Sequence, residues 1–137
     1  MRIVGLDHGA KRIGVAVGDT ETGIAFARDA IQRRNLDHDL GLIRELCADE
    51  GASLVVIGLP LNMDGSEGPQ AQLVRAFGER LAAIGLVVDY EDERLSTWEA
   101  GERLAWVGRK ARRGTGELDS TAARLILQQY LDAKEIE

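Results

Sequence analysis

The sequence lacks a second cysteine, a long apolar run and an excess of basic residues, and each absence excludes a class of protein. Cys47 stands alone, so the 137-residue chain forms neither an internal disulfide nor a cysteine zinc site. No apolar run approaches the ~18 residues that a membrane-spanning helix needs. The N-terminus carries an acid, Asp7, where a signal peptide needs an apolar stretch. We therefore expect a cytoplasmic protein.

The charge balance is acidic, with 17 Lys and Arg against 23 Asp and Glu and a formal net charge of −6. This balance argues against a protein that coats nucleic acid through bulk charge, but it leaves room for a nuclease whose acids hold metal ions. The hydrophobic share of 45% and the charged share of 29% are those of an ordinary globular protein. The length predicts a single domain over residues 1–137.

Three segments near the N-terminus predict strands. Residues 2–6 form a short apolar run, and residues 12–18 alternate Ile or Val with Gly or Ala. The linker between them has the length of a hairpin turn. Residues 24–32 form a third, weaker strand. These strands predict an opening antiparallel meander.

The apolar period then changes to that of helices alternating with strands. Two helical stripes each end at a glycine, and the apolar runs at 54–58 and 86–90 predict two further strands. A capping box at Ser96 predicts a third helix, and a last helix is predicted from about residue 119 to residue 133. The stripes consist of Leu36, Leu40, Ile43 and Cys47, and of Leu73, Phe77, Leu81 and Ile84. The order predicts an α/β fold, with a five-stranded mixed sheet and helices on both faces.

Acidic residues lie at the ends of two predicted strands and at the start of the last predicted helix. Asp7 ends the first strand, Asp92 and Glu93 end the fifth, and Asp119 opens the last helix. Carboxylates that converge from separate elements on one sheet edge would form a hard oxygen site suited to Mg²⁺ or Mn²⁺. A pair of such ions can activate water and stabilise the leaving oxygen of a phosphodiester.

Each acid also has a simpler interpretation. Asp7 is also the type of residue expected in a hairpin turn. Asp92 or Glu93 fits an ion pair with Arg94 or a solvated strand end, and Asp119 fits a helix N-cap. Spacing alone does not choose between these interpretations and a metal site.

Basic residues cluster in a glycine-rich segment at 108–117, which we interpret as a mobile loop. Its side chains are candidates for phosphate contacts, although a short charge run is more often a solvated surface. The histidine next to Asp7, His8, is interpreted as an exposed turn residue. The basic residues of the cluster are Arg109, Lys110, Arg112 and Arg113.

Four segments together resemble the motifs of the RuvX/YqgF family. They are GLDHGAKRIGVA at 5–16, VIGLPLNMDGS at 56–66, DERLST at 92–97 and DSTAA at 119–123. The resemblance spans nearly the whole chain, and four ordered motifs are far more specific than a lone Asp-x-Gly.

The resemblance implies an RNase H-like fold and a nuclease that resolves Holliday junctions or processes the 5′ end of pre-16S rRNA. It implies that Asp7, Glu93 and Asp119 are the catalytic acids, with Asp7 bridging two Mg²⁺ or Mn²⁺ ions and the other two completing their shells. Glu93 is chosen over Asp92 because the motif places its glutamate there. Side chains alternate along a strand, so only one of the pair can face the ions.

The resemblance also implies residues that hold the nucleic-acid backbone. These are Lys11, Arg12, Lys110, Arg112 and Arg113. One departure is that Glu117 and Leu118 precede the last motif where many relatives have a basic residue. This departure leaves the cluster at 109–113 to supply that phosphate contact.

Two other functions compete with a nuclease. An opening strand followed by Asp-x-Gly and a hairpin also begins the sugar kinase, actin and heat-shock ATPase superfamily, but those proteins need two such domains. The other alternative is a ribosome assembly or junction-binding module with little turnover. A resolvase that cuts two symmetric strands favours a homodimer, whereas a trimming nuclease requires none.

Overall fold

A computed structural model of the chain describes residues 1–93 and 120–136. It contains a five-stranded sheet in the order β3-β2-β1-β4-β5. The strands are β1 (Arg2–His8), β2 (Arg12–Asp19), β3 (Ile24–Gln32), β4 (Ala52–Leu59) and β5 (Val88–Asp92). β1, β2 and β3 pair antiparallel, whereas β4 pairs parallel with both β1 and β5. The predicted mixed sheet with an opening meander is confirmed.

The three parallel strands of the sheet have their carboxyl ends at the same edge. β1, β4 and β5 run in the same direction, with Leu6 opposite Ile57 and Leu59 opposite Asp92. Their carboxyl ends therefore lie side by side, which is where sites form in sheets of this kind.

Two helices, α1 (Leu36–Glu50) and α2 (Pro69–Ala83), cover one face of the sheet. Asn35 caps α1 by accepting a hydrogen bond from the His38 N–H, and Gly51 ends the helix at a φ of 65°. The predicted stripe of α1 is buried at Leu40, Ile43 and Cys47. The core on this face includes Val4, Leu6, Ile43, Ile57, Phe77 and Leu81.

The opposite face is covered by a third described helix, α3 (Thr121–Ile136). Its side chains pack on small residues of the sheet, since a Cβ on Gly5 would lie 2.8 Å from the Leu127 Cβ. The core on this face includes Ile3, Ala16, Val56, Ile126, Leu127 and Leu131. Helices therefore cover both faces, as the sequence predicts.

Two sequence predictions on this framework need correction. The apolar period places Leu73 on the buried stripe of α2, but this residue is 55% exposed, and Val74 is buried in its place. The fifth strand was predicted at 86–90 but spans Val88–Asp92. The two-residue shift carries the strand up to Asp92, directly before Glu93.

Other predictions fall outside the described residues. These are the helix that begins at Ser96 and the loop at 108–117. Within the described part of the chain, no helix has the length and apolar character needed to cross a bilayer.

Candidate metal centre at the sheet edge

Asp7 lies inside β1 and is not a turn residue. It pairs with Gly14 of β2, and the turn proper begins at Gly9, whose N–H donates to the Arg12 carbonyl at 2.9 Å. Side chains alternate along β1, so Asp7 shares the α3 face with Ile3 and Gly5. Burial raises the pKa of its carboxyl group. The hairpin-turn interpretation of Asp7 is therefore wrong.

Glu93 reaches the same face from the end of β5. Its N–H donates to the Leu59 carbonyl at 3.2 Å, which extends the pairing of β4 and β5 by one residue. Its carboxylate lies over Gly58, where a Cβ would collide with Glu93 Oε2 and with the Ile126 side chain. The missing side chain at Gly58 thus makes room for the carboxylate above β4, the strand that separates β1 from β5.

The two carboxyl groups act on each other across β4. Burial, then the negative charge of Asp7, then that of Asp92, raise the pKa of Glu93 to about 7. Two half-buried acids without a cation between them repel, and a divalent cation removes that cost. Carboxylate oxygens are the donors that Mg²⁺ and Mn²⁺ prefer, so the pair fits such an ion.

Asp92 is held in a different way from its neighbour. Its carbonyl oxygen accepts a hydrogen bond from Gln129 Nε2 of α3 at 3.2 Å, and the same amide donates to Glu91 at 3.3 Å. Gln129 therefore ties the end of β5 to α3. This bond fixes the backbone next to Glu93.

The start of α3 is anchored beside the same site. The Val15 N–H donates to Ser120 Oγ at 2.9 Å, and Ser120 is fully buried. Val15 follows Gly14, the partner of Asp7 in the sheet. Asp119, the third predicted acid, lies outside the described residues. No group of three or more potential metal ligands occurs within 1–93 and 120–136.

A cavity of about 250 Å³ opens beside Asp7 at the β1–β2 turn. Lys11 and Arg12, two of the predicted phosphate contacts, line it together with Gly9 and Gly14. Both basic residues are exposed, so they can reach a polyanion at the mouth of the cavity. The other predicted contacts, Lys110, Arg112 and Arg113, lie outside the described residues.

His8 is not the exposed turn residue that the sequence predicts. It is the last residue of β1, and its ring packs on Phe77 with centroids 4.7 Å apart. Burial, and then the charge of Arg33, lower its pKa. His8 therefore faces α2, on the opposite side of the sheet from Asp7.

Sequence reasoning missed two groups that hold this edge. Gly58 appeared within a matching motif, but only the fold shows that it leaves space for Glu93. Arg33 belongs to none of the matching motifs, yet its guanidinium donates to the Gly9 carbonyl at 2.9 Å and pairs with buried Asp39. Arg33 thus fixes the β1–β2 turn, through a contact 24 residues away in sequence.

A family model described as "RuvX: Holliday junction resolvase" matches residues 1–133. A protein of Anaeromyxobacter sp. (strain K), named "Putative pre-16S rRNA nuclease", is 47% identical over 135 residues, which are 98% of each chain. A protein of the same name from Moorella thermoacetica is 48% identical over 133 residues, covering 96% of this chain and 95% of its own.

Solved structures share the fold at low sequence identity. T. thermophilus RuvC in complex with a Holliday junction substrate matches with a TM-score of 0.63 at 14% identity, over 98% of this chain and 96% of that one. The large terminase nuclease of the thermophilic phage G20c matches with a TM-score of 0.58 at 15% identity, over 95% and 81%. The sheet and its helices therefore have the RNase H-like fold.

Proposed function

The chain belongs to the RuvX family, and on that premise we propose that it is a metal-dependent endonuclease that hydrolyses phosphodiester bonds of structured nucleic acid. One observation carries the proposal: Asp7 and Glu93, from the ends of two strands, place their carboxyl groups on one face of one sheet edge. An acid whose pKa is raised by burial and by a neighbouring carboxylate is typical of a functional site.

Asp7, Glu93 and Asp119 are proposed as the residues that hold the metal. The bond from the Val15 N–H to Ser120 Oγ supports the third member, because it fixes the residue next to Asp119 beside the strand that pairs with β1. When bound there, Mg²⁺ or Mn²⁺ supplies an activated water for in-line attack on phosphorus and stabilises the departing oxygen. The carboxylates of these three acids hold the ion in position for this reaction.

Lys11 and Arg12 are proposed to hold the substrate backbone at the mouth of the Asp7 cavity. Lys110, Arg112 and Arg113 are proposed to act on the same backbone from the 109–113 segment. Such contacts read phosphates and shape, and they carry no base sequence directly.

Precursor 16S rRNA, at its 5′ end, is our proposed substrate. Relatives that carry this name align at 47–48% identity over nearly the whole chain, whereas the junction-bound structure is 14% identical. Four-way DNA junctions are the second candidate, because the family model is described by that activity. The proposal places the enzyme in the cytoplasm, and a homodimer belongs to the junction-cutting alternative.

The decisive experiment incubates the protein with Mn²⁺ and labelled precursor rRNA or a labelled four-way junction, side by side at physiological salt. Asp7→Asn is expected to abolish cutting while keeping the fold and most of the binding, because it removes one charged ligand and no bulk. Cutting by Asp7→Asn at the normal rate would contradict the metal mechanism. Binding without any cutting by the wild type would favour the assembly-module alternative.

A further inference from the structure

A second cleft lies at the same end of β1, on the opposite face of the sheet from Asp7. It has a volume of about 320 Å³ and opens between the start of α1 and the outer face of α2. The residues that line it are His8, Arg33, Leu36, Leu73, Ala76, Phe77 and Arg80. None of the predicted site residues belongs to it.

Part of the lining of this cleft is apolar. Phe77 forms the floor, with the His8 ring packed on it. Ala76, Phe77 and Arg80 stand three, four and seven residues after Leu73 along α2, so the four residues share one helical stripe. The 55% exposure of Leu73 is an apolar surface that faces this space instead of the core.

The charge of the cleft is opposite to that of the whole chain. Among its described lining residues are two arginines and a histidine but no carboxylate, although the chain has a net charge of −6. The Arg33 charge is already balanced by Asp39, which is 1% exposed. Arg80, exposed in the last turn of α2, therefore provides the attraction for an anion.

We propose that this cleft holds a single-stranded nucleotide of the substrate that flanks the scissile phosphate, with its base on the apolar wall and its phosphate on Arg80. The inference rests on the proposed nuclease function. Asp7 and His8 are consecutive and face opposite sides of β1, so a strand that is cut at Asp7 and continues around the end of β1 reaches the cleft. An apolar wall with the Phe77 and His8 rings, beside an arginine, suits a base and its phosphate.

The test measures binding of a fluorescently labelled single-stranded RNA in EDTA, by anisotropy at several salt concentrations. Arg80→Ala is expected to weaken binding several-fold and to lower the slope of log K against log salt by about 0.7, the value for one phosphate contact on a single strand. Arg80→Lys keeps the charge and is expected to keep the slope. Arg44→Ala removes an exposed arginine of α1 outside the cleft, and serves as the matched control.

The apolar wall is tested separately with Leu73→Ala. This variant is expected to weaken binding several-fold with no change of slope, because it removes surface and no charge. Equal slopes for Arg80→Ala and Arg44→Ala would overturn the proposal, since the effect would then be one of net charge. Wild-type affinity in both Arg80→Ala and Leu73→Ala would overturn it as well, and would leave an acidic protein partner as the occupant to examine.

Different results would reject the nuclease proposal and the cleft proposal. Metal-dependent cutting by the wild type, together with unchanged binding by Arg80→Ala, rejects the cleft and keeps the nuclease. Altered binding by Arg80→Ala in a protein that never cuts supports the cleft as a nucleic-acid site and rejects the nuclease. Thermal unfolding of each variant checks that it is folded.

Discussion

The position and the pKa of a single side chain, that of Glu93, indicate a functional site. Its side chain could sit in solvent at the end of a strand, as the simpler interpretation proposed. Instead it folds back over Gly58 toward Asp7, where burial and the like charge raise its pKa to about 7. A fold tolerates two carboxylates this close when a bound cation offsets their repulsion.

The raised pKa of Glu93 predicts how stability depends on pH without metal. The group titrates at 4.5 when unfolded and at about 7 when folded, so the folded state binds the proton more tightly. Its stabilising effect is complete below pH 4.5 and is lost as the pH rises through 7. At about 1.4 kcal/mol per pKa unit the loss has an upper limit of about 3 kcal/mol, which partial exposure reduces.

Chemical denaturation in EDTA from pH 4 to pH 8 measures this loss. Glu93→Gln is expected to flatten that part of the profile, and to be more stable than the wild type at pH 8. Asp7→Asn is expected to lower the pKa of Glu93, because it removes the nearby negative charge. A profile that is identical in the wild type and in Glu93→Gln would contradict the coupling.

Gly58→Ala tests whether space above β4 positions the Glu93 carboxylate. The new Cβ collides with Glu93 Oε2 and the Ile126 side chain, so the carboxylate must move. We expect a loss of about 1–3 kcal/mol in unfolding free energy and a larger fall in cleavage than in binding. Gly18→Ala is the matched control, since its Cβ meets Leu131 Cδ1 at 2.9 Å, away from the site. Equal cleavage by the two variants would show that Gly58 has no role in positioning.

At the scale of elements, helix α1 ends for a local reason. Gly51 takes a φ of 65°, and its N–H donates to the carbonyls of Cys47 and Ala48. A side chain there meets no atom within 4 Å, so a substitution costs backbone strain and creates no clash. The glycine stop read from the sequence therefore has a conformational cause.

Gly51→Ala is expected to lower the unfolding free energy by about 1–2 kcal/mol, the cost of a left-handed conformation for a residue with a Cβ. Gly41→Ala, in the middle of the same helix and also with open space around it, is expected to raise it by about 0.5–1 kcal/mol. Denaturant unfolding of both variants measures the two effects. Changes of the same sign would contradict the assignment of strain to Gly51.

At the scale of the whole molecule, an acidic protein must present local positive charge to a polyanion. The net charge is −6, whereas Lys11 and Arg12 stand at the cavity of Asp7 and further basic residues cluster at 109–113. Electrostatic attraction of a nucleic acid is therefore confined to these basic patches, and it decays over about 10 Å at 0.1 M salt.

Replacement of Arg112 and Arg113 by alanine is expected to weaken substrate binding and to reduce its salt dependence. Each lost phosphate contact lowers the slope of log K against log salt by about 0.7 to 0.9. Filter binding of the precursor rRNA across a salt series measures the slope. A slope equal to that of the wild type would remove this segment from the contact surface.

The sequence by itself determined the order of the five strands and three helices in the part of the chain that the structure describes. The apolar period of α1 placed that helix before Gly51, because a helix buries side chains at its own spacing, and the weaker strand predicted at residues 24–32 is β3. Asp7 was also identified as a site candidate, from a carboxylate at the end of an apolar run. The same patterns misplaced Leu73 and His8, since a period tells which side chains share a face but not what covers that face.

Only the tertiary structure decided which groups meet. Glu93 and Asp7 are 86 residues apart in sequence, and they approach because β4 lies between their strands and Gly58 has no side chain. Arg33 reaches the Gly9 carbonyl, and Ser120 reaches the Val15 N–H, through contacts that no local spacing encodes. Burial and charge at the sheet edge arise from these long-range contacts, so the chemistry of the site appears only once the chain is folded.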